Sequence, residues 1–452
     1  MMTKLQAYPK YKPVEYDYVN VLPVDWKLLP NIAIFQERIE RGFIEEELLS
    51  VTIGKGVIRQ TDVDIKKDSS NEDKSKYKLI KIGDIAYNKM RMWQGALGYS
   101  NYQGISSPAY VILNPKLKIN PKYFHYMFRT GFYTNYSKRF SYGIVDDQLS
   151  LRYTHFKRMY SIVPPLETQN DIVEYLDRKT KLIQEFISKK ERLIELLEEQ
   201  KGAIINKSVI VGLDKNVKFK KTFLGLIPKH WDIRRLGTIG KFTKGGNISR
   251  DELTTDYASD EDVSAILYGD IYTKYNIVAG NIINKISKKT ASKSVKLIKG
   301  DLLFTGSGET KEDIGKCILF KSDEVTYAGG DVIIFQQKLF NNLFISYSQN
   351  SSLAKYQKYN SAKGEIIVHT YGSKLRDVFM PFPPSKKEQE QVVKFINEEC
   401  QKIDLAISKA KTEIQKIKEY QESLISQVVT GELKVPARKA GKPGTYKKEE
   451  LN

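Results

Sequence analysis

Cysteine is almost missing from this chain. Two residues, Cys317 and Cys400, in 452 leave no disulfide framework and no cysteine-built zinc site. The four histidines, His125, His155, His230 and His369, are scattered without metal-ligand spacing. No run of 18 apolar residues occurs and no signal peptide opens the chain, which predicts a cytoplasmic protein with no membrane span. The phosphate-cradling Gly-x-x-x-x-Gly-Lys-Ser/Thr loop is absent. So is Asp/Asn-Pro-Pro-Tyr/Phe, with which base-modifying amino-methyltransferases hold an exocyclic amine. No Pro-Asp dipeptide opens a nuclease-type carboxylate–lysine cluster. Phe304-Thr305-Gly306-Ser307-Gly308-Glu309 resembles a cofactor loop only superficially. Its counterpart earlier in the chain, Tyr87-Asn88-Lys89-Met90-Arg91, has no glycine.

Positive charge is plentiful. Lys and Arg number 73 against 54 acidic residues, a net charge of +19 and a pI near 9.4. That balance favours a polyanion such as nucleic acid or an anionic surface, and leaves open a basic protein with no such partner. The length allows two to four domains, and 41% hydrophobic residues can fill their cores. The 28 tyrosines suit base stacking and ordinary sheets alike.

Proline and glycine disappear after Val163-Pro164-Pro165 and do not return until Gly202. In that stretch Ile172, Leu176, Ile183, Ile187, Ile194, Leu197 and Ile204 follow at intervals of 4, 7, 4, 7, 3 and 7, the spacing of a heptad seam. Gln169 and Asp171 lie near the start, where a helix favours acceptors and negative charge. About 45 helical residues at 1.5 Å each make a rod roughly 65–70 Å long. A copy follows Phe382-Pro383-Pro384: Gln389, then Val392, Ile396, Ile403, Ile407, Ile414, Ile417 and Leu424. Both copies close on glycine, in Ile210-Val211-Gly212-Leu213 and Val429-Thr430-Gly431-Glu432-Leu433. A repeat this long is the unit of the architecture.

Each repeat opens on Pro-x-x-Trp, at Pro23/Trp26 and Pro228/Trp231, with both tryptophans assigned to core packing. The sequence therefore divides into a first mixed domain (1–163), a long helix (164–212), a second mixed domain (213–383), a second long helix (384–433) and a charged, Pro/Gly-rich disordered tail (434–452). In the first domain, residues 34–49 and 121–134 read as helices, 81–87 as a turn entering a strand and 108–113 as a strand. The Lys299-Gly300-Asp301 turn repeats Gly83-Asp84. The skeleton agrees between copies and the polar residues differ, as expected of two readers with different ligands. The fold class is α+β: two tandem mixed domains, two long helices and an internal pseudo-two-fold repeat.

Candidate nucleic-acid contacts gather in loops. Lys89, Arg91, Trp93 and Gln94 follow a repeated strand, and Arg and Gln can grip guanine and adenine edges. Residues 285–299 hold six lysines and no acid, among them Lys288, Lys289 and Lys293, suited to positioning on a backbone. Lys363, His369 and Tyr371 occupy the loop that matches 142–151. Tyr142, Arg152, Lys244, Asn247 and Lys311 complete the candidates. A solvated face remains an open reading for each group.

This plan resembles the specificity subunit of type I restriction-modification systems over residues 8–433. The carriers are the paired Pro-x-x-Trp starts, the Pro-Pro…Gln starts of both helices and the closing Val-Thr-Gly-Glu-Leu. Two details depart from it: Ile210-Val211-Gly212-Leu213 at the first closure, and Asn20-Val21-Leu22-Pro23 where the second half has Gly225-Leu226-Ile227-Pro228. The resemblance implies two target-recognition domains, each binding half of a split, asymmetric double-stranded DNA site, on helices that pair as an antiparallel coiled coil and set the gap. It implies docking of two methyltransferase subunits bringing S-adenosylmethionine, and restriction subunits bringing ATP and Mg-dependent cleavage, in host defence. It implies no catalytic residue, cofactor or metal on this chain. Leu182, Phe186, Leu193, Leu196 and Ile205 widen the apolar face of the first helix beyond a two-helix seam, so that face needs another cover. The rival readings are a standalone DNA methyltransferase or nuclease, and a protein-only coiled-coil adaptor.

Overall fold

The computed structural model describes residues 5–63, 73–143, 149–254, 262–365 and 367–437. They fall into two compact units, residues 1–190 with 412–452 and residues 191–411. The division cuts through both long helices, Leu166–Ile210 and Lys386–Val429.

In the first unit four antiparallel strands run in the order Phe35–Arg38, Tyr110–Pro115, Ile85–Asn88, Leu97–Tyr99. In the second the order is Lys241–Lys244, Val332–Gln336, Leu302–Thr305, Cys317–Phe320, with Val278–Ala279 added in parallel at the end. The central strand of each begins after the turn the sequence repeats. Gly83 and Gly300 sit at φ +94° and +103°, conformations that L side chains rarely adopt. The next residue closes the turn: Asp84 accepts the Lys81 N–H at 2.8 Å and Asp301 the Ile298 N–H at 2.9 Å. The second unit carries a further five-stranded sheet, in which Val295–Lys296 pairs antiparallel with Thr326–Ala328; the first unit pairs Lys78–Ile80 with Gly104–Ser106 in the same way.

The repeated glutamine has a definite task. Gln169 is buried, donates to the Pro164 carbonyl at 2.8 Å and accepts the Asn120 N–H at 2.8 Å. Gln389 does the same with Pro383 at 2.9 Å and Asn341 at 2.8 Å. Asn120 and Asn341 are N-caps of helices Pro121–Phe128 and Asn342–Gln349. One side chain thus ties the proline bend to the head's own helix. Replacing Gln389 with alanine strands one buried and one half-buried backbone group and is expected to cost about 2–3 kcal/mol. Chemical denaturation checks it against Glu390→Ala, an exposed neighbour expected to change little.

The helices pair antiparallel within each unit. In the first, Ile172 and Leu176 share a core with Leu424 and Val428, and Lys190 bonds Glu413 at 2.6 Å. In the second, Val209 packs in the core with Val392 and Ile396, and Lys201 bonds Asp404 at 2.6 Å. The tryptophans cover the closing glycines. Gly431 (φ +81°) lies under Trp26 and Pro23, where an added Cβ would come within 3.0 and 2.7 Å. Gly212 (φ +81°) lies under Trp231, with the corresponding distance 3.1 Å. In the first unit this joins the two ends of the described chain: the Tyr11 hydroxyl donates to the Gly431 carbonyl at 2.9 Å and Gln6 bridges Lys434.

Several expectations change. Residues 34–49 are not a helix. A single turn, Asn31–Ile34, leads into the strand Phe35–Arg38. The spacing misled because Ile39, Phe43 and Ile44 are exposed, while Arg38 grips Asp84 at 2.8 and 3.1 Å. The helix expected over 121–134 is two, Pro121–Phe128 and Gly131–Phe140. It breaks at Arg129, whose guanidinium turns back to the carbonyls of Leu97, Ile53 and Gly54. In the terminal segment Lys434 is paired and Val435 is buried; residues 438–452 lie outside the described residues.

Candidate nucleic-acid interface

Both units build the same loop frame at the end of the central strand. In the first, the Lys89 N–H donates to the Ala109 carbonyl at 3.1 Å, and the Lys89 carbonyl accepts the Leu151 N–H at 2.8 Å. In the second, Gly306 bonds Asp331 at 2.7 Å and Thr370 at 2.9 Å in the same way. The adjoining loop closes through paired residues, Tyr142 with Ser150 and Lys363 with His369. The frame therefore sets Met90 against Ser307, Ala109 against Asp331, Ser150 against His369 and Arg152 against Tyr371.

The side chains on these shared positions differ. In the first unit Trp93 donates to the Met90 carbonyl at 3.1 Å, and the Lys138 ammonium lies 4.9 Å above its ring. Arg91, Gln94 and Arg152 are exposed, and Tyr142 is 77% exposed. Burial holds the Lys89 ammonium below its ordinary pKa, with nearby Lys78 and Arg152 lowering it further. Lys89 and Arg152 thus lie near one another, and Trp93 is joined by Lys138, which the sequence did not single out. Residues 146–148 of the matching loop lie outside the described residues.

In the second unit the frame encloses a cavity of about 230 Å³. Lys244, His369 and Tyr371 line it, with Thr243, Ser307 and Asp331. Ser307 donates to Asp331 at 3.0 Å and lies 2.9 Å from His369 Nδ1. Lys244 approaches Asp331 at 3.8 Å. The His369 and Tyr371 rings stack near parallel, 6.5 Å apart. Glycines 245 and 246 press on Gly329 and on Lys293–Ser294 so closely that no Cβ would fit, and Asn247 lies beside Gly330; neither Asn247 nor Lys293 is part of the cavity lining. The Gly306–Gly308 loop is therefore the wall of this cavity. Lys288 and Lys289 are exposed on the short helix Lys288–Ala291. The lysine run is less uniform than its sequence: Glu324 faces Lys285 at 3.9 Å and Asp323 faces Lys299 at 2.6 Å. Lys311 lies in the turn after Gly308, away from the cavity lining. Ser307 and Asp331 were missed because they meet His369 only through the fold, 62 and 38 residues away in sequence.

No protein-family model matches the chain. Among the curated proteins that match are two of Methanocaldococcus jannaschii. The putative type I restriction enzyme MjaX specificity subunit is 28% identical over 255 residues, 52% of this chain and 57% of that protein. The type I restriction enzyme MjaVIII specificity subunit is 22% identical over 376 residues, 80% of this chain and 83% of that one. Both of these relatives are named as type I specificity subunits. The match to the first spans just over half of that subunit's length. The fold agrees with solved chains of type I restriction-modification systems. A chain from work on complex assembly and conformational transition of the type I R-M system aligns at TM-score 0.69 and 12% identity, over 91% of this chain and 99% of its own. The HsdS subunit from Thermoanaerobacter tengcongensis aligns at 0.53 and 13%, over 91% and 98%. Among the described residues no helix is long and apolar enough to cross a membrane.

Proposed function

We propose that this chain is the DNA-recognition subunit of a type I restriction-modification complex, each unit reading one half of a bipartite, asymmetric duplex site. The observation that carries this reading is one loop frame built twice with different side chains on it: Met90, Ala109, Ser150 and Arg152 in one, Ser307, Asp331, His369 and Tyr371 in the other. A frame kept for one task would keep its polar groups. A frame kept for geometry while its groups change suits two readers of different sequences. The +19 net charge supports a polyanion partner.

The paired helices would set the gap between half-sites and carry two methyltransferase subunits. Leu193 and Leu196 remain exposed on the first helix, at 41% and 46%, and supply apolar surface for that docking. S-adenosylmethionine would belong to the methyltransferase subunits, and ATP and Mg to the restriction subunits. This chain would contribute binding and no catalysis.

The test is exchange of one reader. Residues 213–383 are replaced by the equivalent segment of a relative, and methylated bases are mapped across the host genome. The expected result is a new sequence in one half-site and an unchanged sequence in the other. Loss of both on a folded chimera, or methyl transfer by the purified chain alone, overturns the reading. Failure of the chain to bind any duplex, alone or with methyltransferase subunits, would favour the protein-only adaptor.

A further inference from the structure

The cavity of the second unit contains a hydrogen-bonded chain, Asp331–Ser307–His369, that the matching positions Met90, Ala109 and Ser150 of the first unit do not form. Ser307 has one hydroxyl hydrogen and two half-buried partners, the Asp331 carboxylate at 3.0 Å and His369 Nδ1 at 2.9 Å. A carboxylate can only accept, so the serine hydrogen is committed to Asp331. His369 Nδ1 must then be the donor to Ser307. A neutral imidazole carries one N–H, which leaves Nε2 as a bare acceptor. No bond to Nε2 exists among the described residues, and the ring lines the open cavity. The backbone holds this arrangement, because Ser307 pairs with His369 across two short strands.

We propose that Asp331 and Ser307 are positioning residues that lock His369 in its Nδ1–H form, and that Nε2 is a specificity-determining acceptor for an exocyclic amino group of a DNA base. The inference rests on the DNA-recognition reading above. In the major groove the amino groups are adenine N6 and cytosine N4; guanine and thymine offer only acceptors there. His369 therefore favours adenine or cytosine at one position of the half-site read by the second unit. The frame positions in the first unit are Met90, Ala109 and Ser150, which cannot form this hydrogen-bonded chain, so that half-site is read by other means.

Two measurements test it on the full chain. The first is side-chain nitrogen NMR of the protein labelled with nitrogen-15 histidine, His369 being assigned by its loss in His369→Gln. The expected result is the Nδ1–H tautomer in the wild type and a shift toward the commoner Nε2–H form in Ser307→Ala. An Nε2–H tautomer in the folded wild type overturns the proposal. The second is genome methylation mapping in a host carrying the complex with His369→Ala or Asp331→Asn. His369→Ala is expected to relax a single adenine or cytosine position by about tenfold, the worth of one hydrogen bond, with the other half-site intact. Asp331→Asn can donate to Ser307 and reverse the chain of hydrogen bonds, and is expected to weaken the same position or shift it toward guanine or thymine. An unchanged site in His369→Ala sinks the assignment while leaving the DNA-recognition reading standing. A wild-type complex with no bipartite methylated site sinks that reading instead. The identity of the affected base distinguishes adenine from cytosine.

Discussion

Trp26→Ala is expected to destabilise the first unit by about 3–5 kcal/mol, the cost of removing a large aromatic ring from a packed core. The ring is 1% exposed. Tyr8 meets it edge-on at 5.4 Å, and Gly431 lies beneath it with no room for a Cβ. The ring therefore clamps the start of the chain onto the end of the second long helix. Its loss opens a cavity and also frees the Tyr11–Gly431 bond and the Gln6–Lys434 bridge, which lie alongside. Domains are stable by only about 5–15 kcal/mol, so this loss is a large fraction of the total. Because each unit has its own buried core, calorimetry should show the first unit melting earlier while the second keeps its transition. Trp26→Phe should restore part of the loss. A cost under about 1 kcal/mol would show that Trp26 is not the clamp. Gly431→Ala offers a separate route to the same joint, since it adds a Cβ against Pro23 at a φ of +81°.

The features legible in the sequence are those with one conformational solution. Pro164 and Pro383 stop a strand, Gly83 and Gly300 need positive φ, and Gln169 and Gln389 close the same bend. Such residues recur unchanged, so the repeat could be read and, with it, the fold class. The heptad spacing of Ile172 to Leu176 and Val392 to Ile396 also survived, because all four are buried as the seam requires. Residues 34–49 were misread because a short apolar run fits a helix or a strand equally well. Arg38 and Asp84, separated by 46 residues, decide between them through a contact that periodicity does not encode. The site was legible only in part for the same reason. Lys244, His369 and Tyr371 could be picked out by type, but the Ser307 and Asp331 side chains that aim His369 come from separate loops. Sequence spacing carries no trace of that meeting.

If the helices set the gap, shortening them together should shorten it. The pairs Lys190–Glu413 and Lys201–Asp404 show that a cut in one helix alone would break the antiparallel match. The deletion must therefore be paired, residues 192–198 with 405–411, which lie between these two ion pairs along the two helices. Seven residues keep the heptad seam in phase, with a drift of only about 20°. The rod loses about 10 Å at 1.5 Å per residue. Duplex DNA rises about 3.4 Å per base pair, so the preferred gap should fall by about three base pairs. Three base pairs also turn the groove by about 100°, far more than the helices can follow. The expected result is a bipartite site with both halves unchanged and a gap up to three base pairs shorter, at reduced methylation, because the duplex must twist to present both grooves. Complete loss of methylation with both half-sites still bound singly fits the same rigid rod. An unchanged gap at undiminished activity would show that something other than the helices measures the spacing.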